Sequence, residues 1–250
     1  YLTTNGYTLK DSYSLGYTSA PWTWDGLATY RAADSEAIVN TVDCLLEYNM
    51  ENVQVPALAT GCTVSDDGLT YTFTLRQDAV WSDSQGNVVA NVTADDFVAG
   101  MQHLLDARGG LEGLVVGDGV NIKNALAYLN GEITDFAEVG VKALDDYTVA
   151  YTLEAPSASF MSLLGYNTFF PLCRSYYESQ GGKFGTEFDA DAEDYLYGKD
   201  PDHIAYCGPY LVTNATSANT IVFDANPNYW NKDNITIKTI TWMYNDGSDD

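Results

Sequence analysis

The chain has 250 residues, 46% of them apolar, enough to bury a core and to fill one large domain or two small ones. Thirty-five acidic against 11 basic residues give a formal charge of −24, which repels nucleic-acid phosphates and anionic lipid headgroups and argues against either as a partner. The acidity suits the solubility of a surface-exposed protein first and attraction of a cationic ligand second, and no apolar run approaches the ~20 residues that span a bilayer.

Residues 13–17 read as an opening strand. Asp34 or Ser35 is placed to cap a helix carrying Ile38, Val39, Val42, Leu45 and Leu46 on one stripe, which is a core pattern. Asp67-Gly68 supplies a turn. After it Leu69, Tyr71, Phe73 and Leu75 alternate with Thr70, Thr72, Thr74 and Arg76, the period of two of a strand with one buried face. Thr93 and Asp96 resemble a capping box ahead of Phe97, Met101, Leu104 and Leu105 at helical spacing, so a helix is predicted over 93–106. A Gly-rich stretch, 109–119, precedes a second predicted helix over 121–129 that ends at Asn130-Gly131. Residues 139–143 and 148–153, split by the turn Asp145-Asp146, read as a hairpin. The acidic segment 185–202 reads as a surface loop or short helix before a strand at Tyr206. These patterns give an α/β scaffold.

Several groups of residues invite a chemical reading. Carboxylate pairs recur at Asp66-Asp67, Asp95-Asp96, Asp145-Asp146 and Asp249-Asp250. A hydrolase would need two such groups about 5–10 Å apart across a cleft. Each pair is instead explained by a turn or a helix start. Asp189, Asp191, Glu193 and Asp194 lack the Gly that an EF-hand loop requires. His203 and Cys207 would share a helical face as zinc ligands or as base and nucleophile, but Pro201 and Gly208-Pro209 oppose a helix there. No metal and no cofactor are therefore assigned. His103 reads as a partly buried structural histidine. Three matches to the glycosylation sequon, at Asn91, Asn214 and Asn234, read as chance. Cys44, Cys62, Cys173 and Cys207 allow three pairings.

The run from Asp67 to Arg76, with Trp81-Ser82-Asp83 and Thr93-Ala94-Asp95-Asp96-Phe97, resembles the signature of the peptide-binding family of extracellular solute-binding proteins, receptors of oligopeptide and dipeptide ATP-binding-cassette importers. Similar blocks follow in family order: Val55-Pro56-Ala57-Leu58-Ala59, the segment from Gly140 to Val149, Gly208-Pro209-Tyr210, and Asn226-Pro227-Asn228-Tyr229-Trp230. The resemblance implies an α/β, periplasmic-binding-protein-like type II clamshell. Residues 1–42 and 151–250 would form its first lobe, 43–150 a small α/β subdomain leaning on it, and the second lobe would lie beyond Asp250. It implies a non-enzymatic, monomeric receptor on the extracellular face of the envelope, held by a lipidated Cys upstream of Tyr1. A peptide ligand and the membrane permease and ATPase subunits of an importer would be its partners.

Members taking up nickel chelates, haem or sugars keep a non-peptide ligand open, and a surface hydrolase or an adhesion module with an exposed apolar patch are the competing classes. For an exported protein the family arrangement favours Cys44–Cys62 and Cys173–Cys207 bridges. An ungapped alignment sets Tyr30, Arg31 and Ala32 opposite a segment whose backbone runs along the bound peptide, against the plainer reading of a loop before a helix. Trp22 and Trp24 lie near enough to floor side-chain pockets. Gly113 stands where some oligopeptide receptors carry an aromatic residue.

Overall fold

The computed structural model describes residues 6, 8, 10–117, 119–217 and 220–245, which leaves the Asp249-Asp250 pair outside. In chain order the elements are β1 (Ser12–Tyr17), α1 (Ala32–Ile38), β2 (Leu46–Tyr48), β3 (Gln54–Pro56), β4 (Ala59–Val64), β5 (Thr70–Leu75), β6 (Val80–Ser82) and β7 (Val88–Asn91). There follow α2 (Ala94–Ala107), α3 (Gly113–Val116), α4 (Ala125–Leu129), β8 (Val141–Asp145), β9 (Thr148–Thr152), α5 (Phe160–Leu163), α6 (Arg174–Ser179), β10 (Tyr210–Ser217), β11 (Thr220–Ala225) and β12 (Thr239–Tyr244).

Two four-stranded sheets organise the chain. One has the order β1-β12-β11-β10, with β1 parallel to β12 from Ser12 opposite Thr239 to Tyr17 opposite Tyr244. The opening strand therefore closes a sheet whose other strands lie beyond Cys207. The other sheet, β4-β5-β9-β8, is antiparallel throughout and draws all its strands from residues 59–152. On β5 the alternating Tyr71, Phe73 and Leu75 are buried, the face that the period of two specifies. One continuous apolar core joins the sheets, with Phe160 5.8 Å from Tyr151 and 5.7 Å from Phe169 between ring centroids.

The capping box forms: Thr93 N–H donates to Asp96 Oδ2 at 2.8 Å, and Phe97, Met101, Leu104 and Leu105 are buried along α2. Gly100 lets this helix approach the 170–172 backbone, since a Cβ there would stand 2.3 Å from Phe170 O. Asp96 also accepts from Trp81 Nε1 at 2.9 Å, while burial pushes its carboxyl up to about 6.

The motifs that carry the family resemblance converge on this scaffold. Asn226 is buried and donates to Gly208 O at 3.0 Å, Asn228 donates to Ser82 Oγ at 3.1 Å, and Trp230 Nε1 donates to Asp43 Oδ2 at 2.7 Å. Ser82 and Tyr206 exchange main-chain hydrogen bonds. Distant blocks thus tie β6 and β7 to the first sheet.

The structure corrects four expectations. The stripe from Ile38 to Leu46 is not one helix: α1 stops at Ile38 because Thr41 turns back, both its N–H and its hydroxyl donating to Ile38 O, and Leu46 opens β2. The second predicted helix shrinks to α4, because Asn121 and Ile122 are held in bridges to Val116 and Leu153. Tyr206 makes only its bridge to Ser82, and the strand begins at Tyr210.

The fourth concerns sulfur. All four cysteines are free. Cys62 is exposed on β4, whereas Cys44, which is not on a helix, is buried and contacts Tyr166 O at 3.4 Å. Cys173 contacts Ser175 Oγ at 3.7 Å and Cys207 is buried with its N–H on Thr41 O. Neither expected bridge is formed, and burial raises the thiol pKa of Cys44 and Cys207 well up and that of Cys173 to about 11.

Candidate functional site

The segment 22–32 between β1 and α1 is the most distinctive surface. Trp22 is 80% and Tyr30 75% exposed, unusual for large rings in a well-packed chain. The segment is nonetheless held firmly. Asp34, wholly buried on the first turn of α1, accepts from Trp22 N–H at 2.9 Å, Thr29 Oγ1 at 2.7 Å and Arg31 Nη1 at 2.8 Å. The Arg31 guanidinium lies 3.4 Å from the Trp22 ring centroid and also reaches Ser19 Oγ at 3.1 Å. Arg31 therefore clamps Trp22 in place, with one N–H of each Nη engaged, on Asp34 and Ser19.

Tyr30 is set by two glycines after α2. A Cβ on Gly109 would stand 2.2 Å from the Ala28 carbonyl carbon, and Gly110, at φ +101°, brings its Cα so close that a Cβ would meet the Tyr30 ring at 2.6 Å. Among the described residues neither the N–H nor the C=O of Tyr30 has a hydrogen-bond partner. Ala32 is exposed at the start of α1. Tyr30 and Ala32 thus border open surface. Trp24 does not: it is buried, its N–H on Gly198 O at 2.8 Å, and it belongs to the core.

Beneath this segment, Asp25 Oδ2 lies 2.6 Å from His103 Nε2, both buried, so the histidine is fully rather than partly enclosed. His103 is packed by Tyr177 at 4.8 Å and Phe188 at 5.5 Å, and its Nδ1 has no partner. Beside the segment opens a pocket of about 280 Å³ lined by Trp22, Ala28, Phe188, Tyr195, Tyr197 and Lys199, among others. A larger depression of about 530 Å³ lies between α2 and β8, and no residue of 22–32 lines it.

The carboxylate pairs do not converge. Asp67 accepts from Ser65 and Leu69, which lowers its pKa, Asp95 pairs with Arg174 at 2.5 Å, and Asp145 accepts from Tyr147 N–H at 2.8 Å. His203 meets Asp200 at 2.7 Å on a 3-10 turn, and no cluster of metal-binding type exists among the described residues. Gly113 lies on open surface, with nothing within 4 Å of where a Cβ would stand.

Sequence reasoning missed Asp34 as the anchor, since it reads equally as a helix cap, and Asp25 as the partner of His103. The adjacent Gly109-Gly110 was the one available signal that a backbone approaches closely there.

Residues 53–250 match the family described as bacterial extracellular solute-binding proteins, family 5 Middle. Curated relatives include the oligopeptide-binding protein AliB of Streptococcus pneumoniae, 38% identical over 98% of this chain and 35% of that protein. The oligopeptide-binding protein SarA of Streptococcus gordonii is 39% identical over 89% of this chain and 32% of its own length. The chain thus spans about a third of the length of these relatives. Among solved structures, the substrate-binding domain of an oligopeptide ABC transporter from Bacillus anthracis superposes with a TM-score of 0.79 at 30% identity, covering 94% of this chain and 42% of that one. Peptide-bound OppA of Listeria monocytogenes gives 0.79 at 26%, covering 94% and 43%. With a family match over most of its length and this fold, the chain belongs to the bacterial extracellular solute-binding proteins of family 5.

Proposed function

We propose that residues 22–32 line one side of a peptide-binding cleft in an extracytoplasmic receptor that feeds an ATP-driven importer, and that the chain acts there as a binding surface rather than as an enzyme. The observation that carries this is Tyr30, exposed beside the exposed Trp22 and with no main-chain hydrogen-bond partner among the described residues, on a segment held firmly by Asp34 and the 109–110 glycines. A peptide backbone can hydrogen-bond there in strand fashion while hydrated or aromatic recesses accept varied side chains. The naming of the relatives as oligopeptide-binding proteins supports the same ligand class.

In this reading residues 1–42 and 151–250 form the first lobe and 43–150 the subdomain, a division that agrees with how the two sheets draw on the chain. The remaining contacts come from a second lobe that closes on the ligand, and the closed form docks on permease and ATPase subunits at the outer face of the membrane, where a lipidated N-terminus holds the monomer.

Calorimetric titration with a mixture of short peptides tests this. A micromolar site corresponds to about −8 kcal/mol, and half its contacts leave about −4, which is millimolar. The whole receptor should saturate in the micromolar range while residues 1–250 alone show little heat. Micromolar binding by residues 1–250 alone, or none by the whole receptor, would overturn the shared cleft.

A further inference from the structure

We propose that the pocket between Trp22 and the segment 188–199 is an accessory subsite that receives one bulky apolar or aromatic side chain of the peptide, a proposal that rests on the reading of residues 22–32 as a peptide-contacting wall.

Three observations carry it. The first is continuity: Trp22 and Ala28 belong both to the wall and to the pocket, so a chain lying along Tyr30 passes its mouth. The second is size and lining. About 280 Å³ is less than a drug-sized site and suits a single large side chain, and the rings of Trp22, Phe188, Tyr195 and Tyr197 offer faces and edges to it.

The third is rigidity with a polar handle. Tyr195 is buried and packs edge-on against Phe188 at 5.9 Å. Gly198, at φ +74°, holds the 22–25 segment through its carbonyl, with Thr23 Oγ1 at 3.2 Å and Trp24 N–H at 2.8 Å. A preformed recess loses little order on filling. Lys199 is exposed at the rim and forms no ion pair among the described residues, so its ammonium can donate to the main-chain carbonyl of the residue whose side chain enters. The acidic segment 185–202 supplies Phe188, Ala190, Tyr195, Tyr197, Gly198 and Lys199 to the lining, and residues 22–28 with Ala107 supply the rest.

Heptapeptides of alanine and serine, each carrying one phenylalanine at a successive position, provide the probe for calorimetry on the whole receptor. One position should bind about 10-fold more tightly than the unsubstituted parent peptide. Ala190 is an exposed residue of the pocket lining. Ala190→Trp should fill the recess, abolish that gain, and leave the parent's affinity and the unfolding midpoint unchanged. As a second readout, N-acetylphenylalanine amide should shift the Trp22 indole and Lys199 amide resonances of the wild type and not of the variant.

The subsite is overturned if no position shows the gain, if the gain survives in Ala190→Trp, if arginine at that position binds better than phenylalanine, or if the resonances do not move. Failure of the parent peptide itself to bind would instead bring down the wall, and the subsite with it.

Discussion

Replacing Asp34 by alanine is the sharpest test of how the wall is held. The carboxylate is wholly buried and accepts three hydrogen bonds, from Trp22, Thr29 and Arg31. Hydrogen bonds to a charged group contribute about 1.5–3 kcal/mol each, so a simple sum for three runs to about 4.5–9. That sum is too high here, because Trp22 and Arg31 are partly exposed and water can replace their acceptor, whereas the Thr29 hydroxyl is enclosed. Removing one side of a buried ion pair typically costs about 3–5 kcal/mol, and we expect Asp34→Ala to fall in that range. This is a large part of the 5–15 kcal/mol that holds an ordinary domain. In urea unfolding followed by circular dichroism, a denaturant slope near 3 kcal/mol/M turns it into a midpoint shift of roughly 1–2 M. Asp34→Asn keeps the shape and one acceptor oxygen and should cost about half as much. In the whole receptor both variants should lose peptide affinity beyond what the unfolded fraction explains, since Trp22 and Tyr30 would no longer be pre-ordered. A midpoint shift below about 0.3 M for Asp34→Ala would show that the wall does not depend on this carboxylate.

Four further outcomes follow from the same geometry. Burial holds the Asp43 carboxyl up at about 7, so its protonated form suits the fold: its stabilising contribution is present below about pH 4 and is lost as pH rises through 7, and Asp43→Asn should flatten the unfolding midpoint against pH across that window. Gly110→Ala forces a Cβ toward the Tyr30 ring at a positive φ and should cost about 1–3 kcal/mol while weakening peptide binding, with unchanged affinity as the contrary result. Asn226→Ala frees the Gly208 carbonyl and the Asn228 N–H that it joins and should lower stability by about 2–3 kcal/mol in the same urea assay, with no direct effect on ligand contacts. With the native protein a maleimide should label Cys62 and spare Cys44, Cys173 and Cys207, and labelling that appears only after reduction would restore the bridged pairing.

Local rules made much of the scaffold legible. The alternation through β5, the capping box of α2, the hairpin of β8 and β9 and the existence of the first strand all follow from periodicities and blocks within single segments. The blocks that reveal the family do so because they form the scaffold itself: Trp81 on Asp96, Asn228 on Ser82 and Asn226 on Gly208 are contacts between motifs. What sequence could not decide was where local pattern meets a distant partner. The stripe from Ile38 to Leu46 has helical spacing, yet the helix ends where Thr41 turns back onto Ile38, and the Thr41 carbonyl, which a continuing helix would use, is taken by Cys207 and Gly208 from far along the chain. Trp22 and Trp24 are two residues apart and equally apolar, but Gly198 draws one into the core while Arg31 and Asp34 hold the other at the surface. Burial and side-chain partnership are set by contacts between segments, from Asp34 a dozen residues from Trp22 to Gly198 far along the chain from Trp24, and no spacing rule within a segment encodes them.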